Sequence, residues 1–179
     1  VNQIQNVRNI LALQDLGESD PEKTKIDEFY PSFIINQGSN VYPDNSVNKF
    51  DPSTIGTGFL NSAIREISTV KNGFGPISNL ISEGNDYSVL ENARKLESNE
   101  YKLQEKLGYI SLNQPLNNDE ILAVAFQYTV GGKVFQVGEF ANDGVEATDL
   151  SQNNGQLQIS NNSIIVKMLK SSLTNINQP

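Results

Sequence analysis

Carboxylates are the side chains of this sequence that could do chemistry. The chain has 179 residues with 21 Asp and Glu but no His and no Cys, which excludes disulfides, thiol catalysis, Cys/His zinc sites and His-based acid–base catalysis. Two carboxylates facing each other across a cleft can hydrolyse a glycosidic bond. The acidic residues include Glu66, Asp86, Glu91, Glu100, Asp119, Glu120, Glu139 and Asp143. Nothing in their spacing selects a pair, so we expect most of these carboxylates to be solvated and the protein not to be an enzyme. A hydrolase that uses a pair of carboxylates is one alternative.

Two oxygen-rich stretches, Asp44–Asp51 and Asp143–Asp149, offer ligands that calcium prefers. Neither has the loop spacing with a central Gly that defines a calcium-binding loop. We therefore expect no metal and no cofactor.

Glu139 is unusual because it occupies an apolar position. In a hairpin that turns at Gly131-Gly132, the strand register places Glu139 opposite Val124, on the side of the large apolar residues. A buried carboxylate without a partner is costly. Because a guanidinium can bind a carboxylate through two hydrogen bonds, we predict a structural ion pair with Arg94, and Lys167 is the second choice.

The hairpin that must position Glu139 lies within Leu107–Phe140, which is typical of a β-meander. A Gly-Gly pair between two alternating apolar runs supplies the positive φ angles of a type I′ turn. Pairing outward from this turn places Tyr128 opposite Phe135 and Phe126 opposite Val137. The predicted core face consists of Leu122, Val124, Phe126, Tyr128, Phe135 and Val137. The opposite face is smaller or polar.

Other segments predict short strands separated by Asn, Gly and Pro. The predicted strands lie near Asn9–Leu13, Tyr87–Glu91, Tyr101–Gln104, Tyr109–Asn113, Ile121–Thr129, Lys133–Phe140 and Ile164–Lys170. Gly144–Asn162 is predicted to be a polar surface loop, with a weak hairpin at Gly155–Ser160 as an option. The best helix candidate is Gly58–Lys71, capped by Asp51 or Ser53. Its predicted buried stripe consists of Phe59, Ala63, Ile67 and Val70.

This pattern predicts a mainly β fold with a minor α+β character. We expect an antiparallel β-sandwich or meander with one or two short helices and long loops. Residues 1–86 would supply a strand, an irregular region and a helix that pack on the sheet. Residues 87–171 would form the antiparallel core and residues 172–179 a tail, within one domain.

The segment LNNDEILAVAFQYTVGGKVFQVGEF resembles part of the family of the gliding-motility cell-surface protein SprA (also called Sov), the outer-membrane translocon of the type IX secretion system. Further similar pieces are Arg8–Gly17, Tyr87–Leu96, Glu100-Tyr101, Leu107–Leu112 and Ile164–Lys170. Asp20–Glu83 does not align with the family pattern. The motif residues, which mark a fold and no active site, are Arg94, Tyr101, Gly108, Tyr109, Gly131, Gly132, Gly138 and Glu139.

The resemblance implies a non-catalytic domain of an outer-membrane channel that exports folded proteins, including gliding adhesins. Its implied partners are other domains of the parent chain, secreted cargo and accessory translocon subunits, at the cell surface or on the periplasmic side. Because the chain starts at Val1 and has no apolar leader or long apolar run, we expect an internal soluble fragment that does not itself span the membrane.

Charge and aromatic content limit the other partners. The net charge is −8 and the basic residues are scattered, which argues against nucleic acid and against an anionic membrane surface. A glycan-binding sandwich module is a second alternative, because exposed aromatic rings could stack on sugars. The aromatic residues that could form such a surface are Tyr30, Phe33, Tyr42, Tyr87, Tyr101 and Tyr109.

Overall fold

The computed structural model describes residues 7–14, 16, 55–56, 60–79, 81–141, 148–153 and 156–173. Two strands far apart in the sequence lie at the centre of its largest sheet. Strand β1 (Val7–Leu13) pairs in parallel with β10 (Ile164–Lys170), with Leu11 beside Ile165 and Ala12 beside Val166. Both strands are mainly apolar, as strands with both faces in the core are.

Shorter strands complete this sheet on both sides. Strand β2 (Tyr87–Arg94) pairs antiparallel with β1, and β5 (Leu122–Val124) pairs antiparallel with β10, which gives the order β2-β1-β10-β5. The mainly β class is confirmed. The sheet is mixed rather than wholly antiparallel, because β1 and β10 run in the same direction and the rest of the chain connects them.

Three hairpins lie outside this sheet in the described chain. They are β3–β4 (Tyr101–Gln104 and Tyr109–Leu112), β6–β7 (Phe126–Val130 and Lys133–Val137) and β8–β9 (Thr148–Asn153 and Gln156–Asn161). The predicted pairs Phe126–Val137 and Tyr128–Phe135 are confirmed, and Gly131 and Gly132 have φ angles of +56° and +78°. The region predicted as a polar loop contains the β8–β9 hairpin.

The predicted helix Gly58–Lys71 is wrong as a continuous element. The described part forms 3₁₀ turns at Ser62–Arg65, Ile67–Thr69 and Gly75–Ile77, with one α-helical turn, α1 (Val70–Gly73). Asn61 caps the first turn, accepting a hydrogen bond at 2.9 Å from the Ala63 N–H, whereas Asp51 and Ser53 lie outside the described residues. Glu66 is extended and interrupts the helix, in a segment rich in Ser, Thr and β-branched residues that propagate helices poorly.

The core uses both faces of the central sheet. One face packs Leu11, Leu13 and Ile165 against Ile64, Val70 and Phe74 of the turns. The other face buries Ala12, Ile164, Val166 and Met168, with Ala123 and Ala125 packed against them. None of the helices among the described residues has the length and hydrophobicity of a membrane-spanning segment.

The predicted core face of the hairpin is therefore largely wrong. Val137 is buried, but Phe126 and Tyr128 are 40% and 42% exposed, and Leu122 and Val124 are only half-buried. The reason is that β1 and β10 supply the core, so the hairpin is buried at its base and reaches solvent towards its Gly-Gly turn.

Candidate functional site

Glu139 is completely buried and lies at the base of the β6–β7 hairpin. Its carboxylate forms a two-point ion pair with Arg65, with Nη1–Oε2 and Nη2–Oε1 distances of 2.5 and 2.6 Å. The Arg65 side chain is itself only 16% exposed. The predicted partners are wrong: Arg94 pairs with Glu100, and the Lys167 amine donates to the Gln14 carbonyl.

The same two residues hold the first part of β10. The backbone N–H of Glu139 donates to the Ile165 carbonyl at 2.8 Å, and the Ile165 N–H donates to Glu139 Oε2 at 2.7 Å. Arg65 donates through Nη1 to the Ser163 carbonyl at 3.1 Å and accepts at its own carbonyl from the Ser163 N–H at 2.7 Å. Because β5 is short, these groups occupy the edge of β10 that a longer strand would cover.

Gly138 makes this approach sterically possible. Its φ is +78°, and a Cβ at this position would lie 3.1 Å from the Val166 Cα and 3.2 Å from the Ala125 Cβ. A side chain would therefore meet both a left-handed backbone conformation and the backbone of β10. Gly138 turns the chain so that Glu139 points into the sheet.

This geometry uses the carboxylate as an acceptor and not as a reagent. Both Glu139 oxygens accept hydrogen bonds from Arg65, and one also accepts from Ile165. A carboxylate held in this way by charge-assisted hydrogen bonds fixes three segments relative to each other. The arrangement is that of a structural clamp.

The second ion pair, Arg94–Glu100, lies on the surface between β2 and β3. Arg94 Nη1 donates to Glu100 Oε2 at 2.6 Å, and the Glu97 N–H donates to the same oxygen at 2.7 Å. The hydrogen bond from Arg94, followed by that from Glu97, lowers the pKa of Glu100, and Glu100 in turn raises the pKa of Arg94. This pair links the end of β2 to the residue that precedes β3.

The remaining motif residues lie along the hairpins. Tyr101 is half-buried and Tyr109 is exposed on β3 and β4. Gly108 closes the turn between those strands with φ +66°, and its N–H donates to the Gln104 carbonyl at 2.8 Å. The structure therefore spreads the motif residues over several elements and does not gather them into one cleft.

The other candidate sites have different outcomes. Among the described residues, no group of three or more acidic side chains could hold a metal ion. Asp44–Asp51 and residues 143 and 146 lie outside the described residues, as do Tyr30, Phe33 and Tyr42. Tyr87 is buried against Phe74 with ring centroids 5.1 Å apart, so it presents no sugar-binding surface.

Sequence reasoning missed two cations that organise the fold. Arg65 falls inside the predicted helix, 74 residues from Glu139, and no local pattern links the two. Lys170 is buried, and its amine donates to the carbonyls of Asn118, Glu120 and Ser171 at 2.9, 2.6 and 3.0 Å. The sequence signal for this site was a Lys within an apolar strand. If such a lysine is buried, its ammonium needs carbonyl or carboxylate acceptors.

Comparison with known protein families places this mainly β chain among motility and secretion proteins. A family model described as motility related/secretion protein, SprA_N, matches residues 1–124. The chain belongs to this family. The match includes Asp20–Glu83, which the sequence resemblance did not cover, and it ends before the β6–β7 hairpin. The comparison with curated proteins found no match.

Proposed function

We propose that this chain is a non-catalytic structural and interaction domain of a type IX secretion translocon in the outer membrane. In this role it contributes to protein export and gliding motility. The observation that carries the proposal is the family match to motility related/secretion proteins over residues 1–124. Its partners would be other domains of the parent chain and either cargo or accessory subunits.

The chemistry of the described residues supports an interaction role. The most deeply buried carboxylate, Glu139, has its oxygens occupied by Arg65 and Ile165. The cavity of about 290 Å³ near the end of β10 is lined by Gln14, Gly84, Asn85, Met168, Leu169, Ser171 and Leu173. This lining has no acidic or basic side chain, whereas a second cavity, at the β3–β4 turn, includes Glu105 and Lys106. In this proposal the domain contributes shape, hydrogen-bonding surface and negative charge.

The hairpins supply the contact surface in this proposal. Exposed apolar side chains are concentrated on them: Leu103, Leu107, Tyr109, Phe126, Tyr128 and Val134. An ion pair lies at the base of two of them: the buried pair Arg65–Glu139 at β6–β7 and the exposed pair Arg94–Glu100 at β3–β4. A rigid base with an exposed apolar end suits a surface that docks on another protein.

The test compares two sets of variants in the native host. One set replaces exposed carboxylates by amides (Glu91→Gln, Glu105→Gln and Asp119→Asn), and the other is Phe126→Ser with Tyr128→Ser. We expect normal gliding and normal secreted protein in the culture medium with the first set, and loss of both with the second at unchanged protein abundance. Loss of secretion in the first set would contradict a non-catalytic role. Envelope fractionation that places the protein away from the outer membrane would contradict the location.

A glycan-binding module is the second candidate function, and one observation favours it. The rings of Phe126 and Tyr128 stack with centroids 6.0 Å apart and an interplanar angle of 28°. Both rings are accessible to solvent, and such a platform can contact the apolar face of a sugar. Binding of the purified chain in a glycan screen, lost in Phe126→Ala and kept in Leu103→Ala, would favour this function. Absence of binding to any glycan would remove it.

A further inference from the structure

The outer edge of strand β4 carries peptide groups that its own hairpin does not use. Strands β3 and β4 pair only with each other among the described strands. The Asn113 N–H donates to the Glu100 carbonyl at 2.8 Å, so the pair that these residues form is a hydrogen-bonded one. Such pairs alternate with non-hydrogen-bonded ones along an antiparallel ladder. The next hydrogen-bonded pair is therefore Lys102–Ser111.

The alternation leaves Ile110 and Leu112 in non-hydrogen-bonded pairs, opposite Leu103 and Tyr101. Their N–H and C=O groups consequently point away from β3. The two residues flank Ser111 symmetrically. A further antiparallel strand would satisfy these N–H and C=O groups if a leucine in the position of Leu112 lay opposite Ile110. A copy of β4 rotated by 180° about an axis through Ser111 is such a strand.

We propose that a second copy of this chain pairs with β4, so that two hairpins form one sheet in the order β3-β4-β4-β3. In this arrangement, Ile110 exchanges both backbone hydrogen bonds with Leu112 of the partner subunit, and Ser111 lies on the twofold axis. Such an interface is isologous, because the same edge is used twice. The inference rests on the ladder geometry and does not depend on the proposed function.

The side chains of the hairpin favour this pairing. Tyr101, Leu103, Ile110 and Leu112 share one face because they alternate along the two strands. Leu103 is 54% exposed on this face. An isolated two-stranded hairpin is only marginally stable in water, whereas a wider sheet with an apolar face is stable. Pairing would double the width of that face.

Charge also favours β4 over β2, the outer strand of the central sheet. Strand β4 has no charged residue, and the hairpin Tyr101–Leu112 carries two Lys and one Glu in a chain of net charge −8. This segment therefore lacks the excess negative charge of the chain as a whole. In contrast, β2 has exposed Glu91 and Arg94 and a left-handed residue, Asn92, with φ +52°. Charges and bulges of this kind block edge pairing, and β4 lacks them.

Disulfide trapping tests the geometry, because the chain has no Cys of its own. In the proposed sheet the two Ser111 Cα atoms would be about 4.5 Å apart, within the range of about 4.4–6.8 Å that a disulfide spans. We expect Ser111→Cys to form a covalent dimer on mild oxidation. The control is Lys102→Cys on the same face, whose two copies would be separated by three strand spacings, or about 14 Å. It should remain uncross-linked.

Sedimentation velocity over a range of concentrations tests the hydrogen bonds. Ile110→Pro removes an N–H that points outward, and we expect the dimer dissociation constant to rise about tenfold or more. Leu103→Pro removes the equivalent N–H on the outer edge of β3, and the dimer should persist. Two results would overturn the proposal. One is equal cross-linking of Ser111→Cys and Lys102→Cys. The other is a wild-type chain that stays monomeric together with a Ser111→Cys variant that does not cross-link. Should Ile110→Pro unfold the hairpin, as circular dichroism would reveal, the cross-linking comparison decides.

Discussion

Two Arg–Glu ion pairs in the described part of the chain have the same chemistry in different surroundings. Arg65–Glu139 is buried and also satisfies the backbone of β10, whereas Arg94–Glu100 is exposed and joins neighbouring segments of the chain. A buried pair is expensive to break because one charge is left without water or partner. An exposed pair is screened by solvent and salt. The comparison teaches that position, and not the ion pair itself, decides which pair holds the fold.

Removing one partner of the buried pair should have the largest effect. Arg65→Ala leaves the carboxylate of Glu139 uncompensated in the core, and we expect a loss of about 3–5 kcal/mol in the free energy of unfolding. Urea denaturation followed by circular dichroism measures this loss. Lys71→Ala, which removes an exposed cation from the neighbouring helical turn, is the control and should change stability little. A loss in Arg65→Ala no larger than in the control would refute the clamp.

The glycine before Glu139 should rank next. Gly138→Ala adds a Cβ in a left-handed conformation that costs roughly 1–2 kcal/mol, and it also presses on Val166 and Ala125. The matched control is Gly108→Ala, which has φ +66° but nothing within 4 Å of the added Cβ. Thermal unfolding of both variants should show the larger destabilisation at Gly138. Equal losses would mean that close approach to β10 does not matter.

Replacing both charges of the buried pair should cost less than removing one of them. The double variant Arg65→Met with Glu139→Leu leaves no buried charge, but Ile165 loses its side-chain acceptor at a cost of about 1–3 kcal/mol. A double-mutant cycle with the two single variants measures the coupling. If the double variant is as unstable as the sum of the single variants, the two side chains do not act as a pair.

The exposed pair should give the smallest effect and the clearest dependence on solution conditions. Because its partners lower the pKa of Glu100 below the usual 4.5, the folded state favours the ionised carboxylate. The stabilising contribution is therefore complete above about pH 4.5 and is lost as the pH falls through the lowered pKa. The free energy of unfolding of Glu100→Gln, measured by urea denaturation, should equal that of the wild type at the acidic end of this range. At neutral pH it should be slightly lower, and salt should reduce the difference. A difference that grows on acidification would contradict this assignment.

The sequence predicts the parts of this fold that are determined locally. The Gly131-Gly132 turn fixes the register of its hairpin, and Phe126–Val137 and Tyr128–Phe135 pair as expected. The same alternation does not reveal which face is buried, because that depends on distant strands. Within the described chain the buried face comes mainly from β1 and β10 and from the turns at Ser62–Gly73.

The candidate site shows the same limit. The apolar register of Glu139 was enough to predict that it needs a cation, but several Arg and Lys residues were equally possible from the sequence. The partner, Arg65, is brought close by a segment that was predicted as one helix and is instead a series of short turns. Long-range geometry of this kind leaves no periodic pattern in the sequence.

The parallel pairing of β1 with β10 has a consequence for how the chain becomes folded. The Lys167 amine and the Gln14 carbonyl that it contacts are 153 residues apart in the sequence, and the family match ends at Val124, before β10 begins. A nascent chain that has emerged only as far as Val124 lacks the strand that lies between β1 and β5, so the central sheet cannot be completed before Ile164–Lys170 is available. Contacts this remote slow folding, and until they form, Leu11 and Ala12 lack the strand that pairs with them in the folded protein.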